Sequence, residues 1–257
     1  MNMTMNKTEE EFTDQLQQLS CRLALSEPQL LQLRVYYKNL VDWNSRMNLT
    51  AITEEREVYT RHFLDSYTLF NGVSRETFQK GDRLVDVGTG AGFPGIPLAI
   101  VLPEVNITLL DSLGKRVSFL EDTIQKLNLN NVTCIHGRAE DLARDNAHRE
   151  KYDYVVSRAV SNLSTLAEYC VPFLRTGGAF AAYKSEKVKE GSELDDGTRA
   201  AALLGAKLST QREFTLPNTD YYRILLIFRK TKETPHKYPR KAGTPSRKPL
   251  GQSGRSI

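Results

Sequence analysis

Between Arg83 and Gly95 the chain reads Arg-Leu-Val-Asp-Val-Gly-Thr-Gly-Ala-Gly-Phe-Pro-Gly. Its chemical interest lies in four glycines, Gly88, Gly90, Gly92 and Gly95, and in one carboxylate, Asp86. Glycine lets a backbone turn sharply and lets a ligand approach it closely. Pro94 suits the first turn of a helix, where its missing N–H costs nothing. A helix beginning there offers unpaired N–H groups and a positive dipole end. Leu84, Val85 and Val87 read as a short buried strand ahead of it. The stretch therefore predicts a strand, a glycine turn and a helix N-terminus that together cradle a nucleotide.

Two cofactors fit that cradle. Gly90-x-Gly92-x-x-Gly95 satisfies the dinucleotide fingerprint. Gly88-x-Gly90-x-Gly92, with Asp86 two residues ahead, is the pattern of S-adenosylmethionine (SAM) enzymes. Three later features bear on the choice. Asp111 ends the second predicted strand, where a carboxylate accepts hydrogen bonds from both ribose hydroxyls, whether of NAD or of SAM. Ala139-Glu140-Asp141 follow the third strand, where an adenine needs an apolar wall and a polar partner for its amino group. Finally, the sheet ends in a strand pair after five βα units. A parallel sheet closed by a hairpin, one strand of it antiparallel, is the plan of SAM methyltransferases, whereas a dinucleotide fold more often repeats its unit. Together the three favour SAM, with S-adenosylhomocysteine as the product.

The elements that must hold these residues follow from hydrophobic period. Strands are expected at 83–87, 106–110, 132–135, 154–156, 179–183, 207–216 and 221–228, and helices at 94–101, 115–127 and 163–174, the last stopped by Gly177 and Gly178. Strands alternating with helices imply a sheet covered on both faces. Residues 8–72 lack strand alternation and read as all-helical. Phe12, Leu16, Leu19 and Leu23 mark a helix over 8–25, and a second, capped by Ser26, runs to about Asn44. The expected organisation is a helical cap over 1–72 packed on the main domain, a methyltransferase domain over 73–232, and a basic, flexible tail over 233–257.

Composition narrows the setting. Charged residues make up 26% of the 257 residues, as in ordinary soluble domains. No apolar run is long enough to cross a membrane, and Glu9, Glu10 and Glu11 stand where a secretory signal would be apolar. Cys21, Cys134 and Cys170 are scattered and odd in number, which argues against a disulfide framework or a metal site. A cytoplasmic monomer is expected, with no membrane partner. The net charge of +4 is uneven: residues 229–257 hold nine Lys or Arg against one acid, Glu233. An acidic-leaning body with a basic tail suggests a polyanionic partner.

The order of motifs carries a resemblance. Asp86–Gly95 is followed by Leu109-Leu110-Asp111-Ser112-Leu113-Gly114-Lys115-Arg116, then by Ser157-Arg158-Ala159-Val160 and Tyr183-Lys184. Upstream stand Trp43-Asn44, Asn48-Leu49-Thr50 and Arg61-His62-Phe63-Leu64-Asp65-Ser66; downstream stands Lys237-Tyr238-Pro239-Arg240-Lys241-Ala242-Gly243-Thr244-Pro245. Over about residues 30–250 the chain resembles the RsmG (GidB) family of bacterial 16S rRNA methyltransferases. The resemblance implies an α/β, class I SAM-dependent methyltransferase with a Rossmann-like seven-stranded sheet and an N-terminal helical extension. It implies methyl transfer to N7 of guanine 527 in the 530 loop, with 16S rRNA or a small-subunit assembly particle as partner. It also implies that Arg158 contacts the bound cofactor. Asp86, Gly88, Gly90, Gly92 and Phe93 are expected at the methionine end, Asp111 at the ribose, and Ala139 and Glu140 beside adenine. Lys115, Arg116, Lys184, Arg240 and Lys241 are candidates for RNA contacts, and Arg158 and Lys184 for positioning. No acid–base residue is expected, because guanine N7 already presents an in-plane lone pair.

Overall fold

A computed structural model describes residues 5–252. Seven strands form one sheet: β1 Arg83–Val87, β2 Asn106–Asp111, β3 Val132–His136, β4 Tyr152–Arg158, β5 Leu174–Lys184, β6 Ala206–Thr215 and β7 Tyr222–Lys230. The order is β3-β2-β1-β4-β5-β7-β6. β7 is antiparallel to both its neighbours, while the pairings from β3 through β5 are parallel. The expected closing hairpin is therefore present. The central strands are buried, as strands covered on both faces must be.

One face carries the N-terminal helices. α1 (Lys7–Gln17) begins with a capping box in which the Asn6 side chain accepts from Glu9 N–H and Glu9 returns a bond to Asn6 N–H. α2 (Glu27–Asn44) starts at Ser26 with Pro28 in its first turn. α3 (Glu55–Val58) runs on through a π turn, Tyr59–Leu64, into α4 (Asp65–Tyr67) and a 3-10 turn, Thr68–Asn71. Phe12, Leu33, Tyr36, Phe63 and Tyr67 share a continuous core with α5 (Gly95–Val101), α6 (Gly114–Leu127) and Leu225 and Ile227 of β7. Trp43 donates to Asp122 at 2.8 Å and Asn39 to Thr123 at 2.9 Å, tying α2 to α6. α7 (Ala139–Leu142), α8 (Leu163–Cys170) and α9 (Glu193–Leu203) belong to the opposite face, with a second core that includes Phe173, Phe180 and Phe228. No helix among the described residues is long and apolar enough to cross a membrane.

Three expectations need correction. The first helix stops at Gln17, and Leu19 and Leu23 are buried from an irregular segment instead. The helix starting at Leu163 ends at Cys170, because Pro172 has no N–H for the next helical bond. β5 then starts at Leu174 and runs through Gly177 and Gly178, eleven residues in all.

The third correction concerns the tail. As far as Gln252 it is a strap folded against the α7–α9 side, with a short turn of helix, α10 (Thr244–Arg247); 253–257 lie outside the described residues. Tyr238 and Leu250 are buried in the second core. Glu168 of α8 is fully buried and must have a cation, and Arg240 supplies it through Nη2 at 2.6 Å and Nε at 3.0 Å. Basic composition hid these anchors. Arg240→Ala should cost about 3 kcal/mol or more, since it strands a buried carboxylate. Deleting residues 235–257 should destabilise the fold further. Urea unfolding of both variants checks this, and an unchanged midpoint would make the strap a bystander.

Candidate active site

Strand order reverses between β1 and β4, so a crevice opens beyond their C-terminal ends, where α/β sheets bind ligands. The glycine turn after β1 and Arg158 at the end of β4 flank that crevice.

Asp86 fastens the turn from below. Its Oδ2 accepts from Thr89 Oγ1 at 2.7 Å and from Gly95 N–H at 2.8 Å. Its Oδ1 is buried and has no hydrogen-bond partner among the described residues. Burial pushes its carboxyl up to about 7, although the bonds from Thr89 and Gly95 pull the other way. Above it, Gly88 has φ +72°, and a Cβ there would lie 2.6 Å from Val160 Cγ2. At Gly90, φ +61°, a Cβ would meet no protein atom within 4 Å. That open side is the one a cofactor would fill.

Asp111 stands beside it, buried at the end of β2. Its Oδ2 accepts from Gly90 N–H and its Oδ1 from Leu113 N–H, both at 2.9 Å. Arg116 Nη1 lies 3.4 Å from Oδ2. A carboxylate has about four acceptor positions, so with these three donors it is held rigid with a position left on Oδ1 for a ribose hydroxyl. A second hydroxyl would have to displace the longer Arg116 contact. Leu113, 51% exposed, adds an apolar surface next to it. These residues fit SAM: a fixed carboxylate, an open glycine turn and an orphaned buried oxygen beneath it.

Glu140 departs from expectation. It is buried, and its Oε1 accepts from Gly243 N–H of the strap at 2.8 Å. A buried carboxylate needs a donor, and here the strap provides one. Ala139, partly buried, starts α7 next to it. Phe93 also differs. It is buried in an aromatic stack, 4.4 Å from the His62 ring and 5.3 Å from that of Tyr36. It joins the turn to the helical cap.

Arg158 faces that cap. Its Nη1 donates to Asp65 Oδ2 at 3.0 Å and to Arg61 C=O at 3.1 Å, and Nη2 lies 3.3 Å from His62 Nδ1. Asp65 Oδ1 accepts from Arg223 Nε of β7 at 3.0 Å. Burial, reinforced by the Arg158 charge, pushes the His62 imidazole down to about 3, so it is neutral at physiological pH. Its Nε2 lies 3.0 Å from Thr50 Oγ1.

Next to this cluster is a cavity of about 520 Å³ lined by Arg61, His62, Asp65, Arg158, Lys184 and Arg223 among others. Lys184 is not a free contact: its Nζ donates to Ser161 C=O at 3.0 Å and pairs with Glu193 at 2.6 Å. Lys115 and Lys241 are exposed and form no ion pair among the described residues. Arg240 is the strap anchor. Sequence reasoning assigned no role to Asp65, His62 or Arg223. The first two sit inside the motif Arg61–Ser66, and Arg223 is a charge at the start of a strand read only for its hydrophobic period.

Asp86 offers a direct test. A carboxyl whose folded value is raised contributes stability at low pH that is lost as pH rises from about 4 through 7. Asp86→Asn removes that contribution. Denaturant unfolding without cofactor should show the wild type losing stability relative to the variant across this range. Parallel curves would mean that Asp86 titrates normally.

Residues 29–218 match the family model described as GidB, rRNA small subunit methyltransferase G. A protein of Alkaliphilus metalliredigens named ribosomal RNA small subunit methyltransferase G is 48% identical over 226 residues, covering 88% of this chain and 92% of its own. One of the same name from Lachnoclostridium phytofermentans is 50% identical, covering 90% and 93%. Another from Pediococcus pentosaceus is 44% identical, covering 95% and 99%. Among solved structures, MtNAS in complex with MTA and tNA has a TM-score of 0.55 at 13% identity, covering 77% of this chain and 71% of that one, a likeness of fold. With a glycine turn, a buried Asp111 and a sheet closed by β7 already in place, a match across most of its length shows that the chain belongs to the rRNA small subunit methyltransferase G family.

Proposed function

We propose that this chain transfers a methyl group from SAM to N7 of guanine 527 in the 530 loop of 16S rRNA. It acts as a cytoplasmic monomer, on the rRNA or on an assembling small-subunit particle. The relatives' shared name supports ribosomal RNA as the substrate class, and the resemblance supports the base and atom.

The observation that carries the chemistry is the state of the cavity's acids and bases. Asp65 is held between Arg158 and Arg223, and Glu193 is paired with Lys184. His62 has Arg158 at Nδ1 and Thr50 at Nε2, so it presents no free lone pair. No described carboxylate or imidazole lining the cavity is therefore placed to take a proton. Guanine N7 does not need one, whereas an exocyclic amine would have to lose a proton. When bound, SAM supplies an electrophilic methyl on a sulfonium.

The chain's own residues bind and orient. Gly90 and Asp111 hold the cofactor's turn and ribose, and Asp86 keeps the turn in place. A cavity of this size suits one extruded base. The Arg158 guanidinium is planar and fixed by three partners, so it can present its edge to guanine O6 or to the cofactor without reorganising. Catalysis then rests on alignment.

Arg158→Lys keeps the charge and loses the fork. Methylation should fall by about 100-fold, the order expected for a misplaced positioning group, while Asp65 keeps Arg223 and the fold survives. Mass spectrometry of rRNA fragments after incubation with SAM locates the methyl and measures the loss. A methyl elsewhere than N7 of guanine 527 would overturn the assignment, and near-normal activity would make Arg158 structural. Above the Asp86 transition, between about pH 8 and 9, the wild-type rate should show no limb from a titrating base.

A further inference from the structure

The strap that follows β7 involves two sets of cations that do opposite things. The first set points inward. Arg144 donates through Nε and Nη2 to Pro239 C=O at 2.9 and 2.6 Å. Arg149 donates to Tyr238 C=O at 2.8 Å and to Thr234 C=O at 2.7 Å. Arg240 holds the buried Glu168, and the Lys230 ammonium is buried against Val171 C=O, Thr234 and Glu150.

The second set is Lys237, Lys241, Arg247 and Lys248. All four are exposed, and none forms an ion pair among the described residues. Arg247 donates to Gly243 C=O, within its own turn, and Lys237 lies over the Tyr238 ring. A free tail would let these charges spread apart. The inward anchors instead fix them at set places along a folded strap. A fixed array of uncompensated cations suits a ligand with regularly spaced negative charge, and nucleic-acid phosphates are such a ligand.

The strap's position fits this partner. Gly243 N–H is bonded to Glu140 in the short α7 that follows β3, and Pro245 C=O accepts from Thr165 Oγ1 in the first turn of α8, just past the Arg158 loop. Residues 243–245 of the strap therefore pass the rim of the crevice, while Lys237, between two residues that bond Arg149, sits at the opposite edge, where β4 begins.

We propose that Lys237, Lys241, Arg247 and Lys248 form a pre-folded ridge that grips rRNA phosphates along the strap, running from the crevice rim near Gly243 to Lys237 at the far edge of the sheet, while Arg240 serves only to anchor it. The proposal rests on the rRNA reading above and adds the surface that recognises the backbone. Each phosphate contact should steepen the slope of log K against log salt by about 0.7–0.9, the range for single-stranded and duplex nucleic acid.

The test is the full-length quadruple variant K237Q/K241Q/R247Q/K248Q, with K237R/K241R/K248R as the charge-keeping control. The glutamine variant should keep the wild-type unfolding midpoint and SAM affinity. Its binding to a 16S rRNA fragment should weaken at least tenfold at low salt with a flatter salt slope, and KM for RNA should rise at constant kcat. The arginine variant should behave as wild type. An unchanged slope and KM in the glutamine variant would overturn the ridge. Failure of wild-type protein to methylate 16S rRNA would instead overturn the functional reading, and the binding slopes would still report on the ridge.

Discussion

The site depends on one buried carboxylate. Asp65, at the end of the π turn in the helical cap, takes Arg158 from β4 on one oxygen and Arg223 from β7 on the other. Each arginine comes from a strand end and the acid from the cap, so a single group joins three separate parts of the chain. Removing one partner of such a cluster would leave a charge in a poorly solvated place, which is costly. The cap is held by more than apolar packing alone, and Arg158 faces the crevice in one orientation. The same helical turn stacks His62 on Phe93 of the glycine turn. Cap, cofactor turn and strand ends form one unit.

Much of this was legible in the sequence because local pattern decides it. Strand period and glycine spacing place β1, β2 and the turn between them to within a residue, since these features satisfy backbone and burial demands locally. The antiparallel β7 follows from two strands joined by a short turn. The roles of Asp65 and Arg223 could not be read so, being set by pairing across 158 positions of chain. Lys184 looked like a surface cation because nothing nearby in sequence announces Glu193 as its partner. The strap was hidden for a related reason. Its proline, glycine and basic content reads as disorder, while its stability comes from Glu168, Glu140, Arg144 and Arg149, all at long range.

The distribution of paired and unpaired charge completes the account. In the cavity wall, Arg61 is paired with Glu57, Arg158 and Arg223 share Asp65, and Lys184 has Glu193, while Lys187 stands exposed at its edge. On the strap the four outward cations form no ion pair among the described residues. Methyl transfer to an uncharged ring nitrogen leaves the base positive, so a bare cation at the base would oppose the reaction as it proceeds. A guanidinium already matched to a carboxylate donates hydrogen bonds with little net field. Phosphates need the reverse, an uncompensated positive potential that draws the RNA in and holds it. The fold meets both demands in degree: donors tied to carboxylates beside the reacting base, and cations outside any ion pair along the strap.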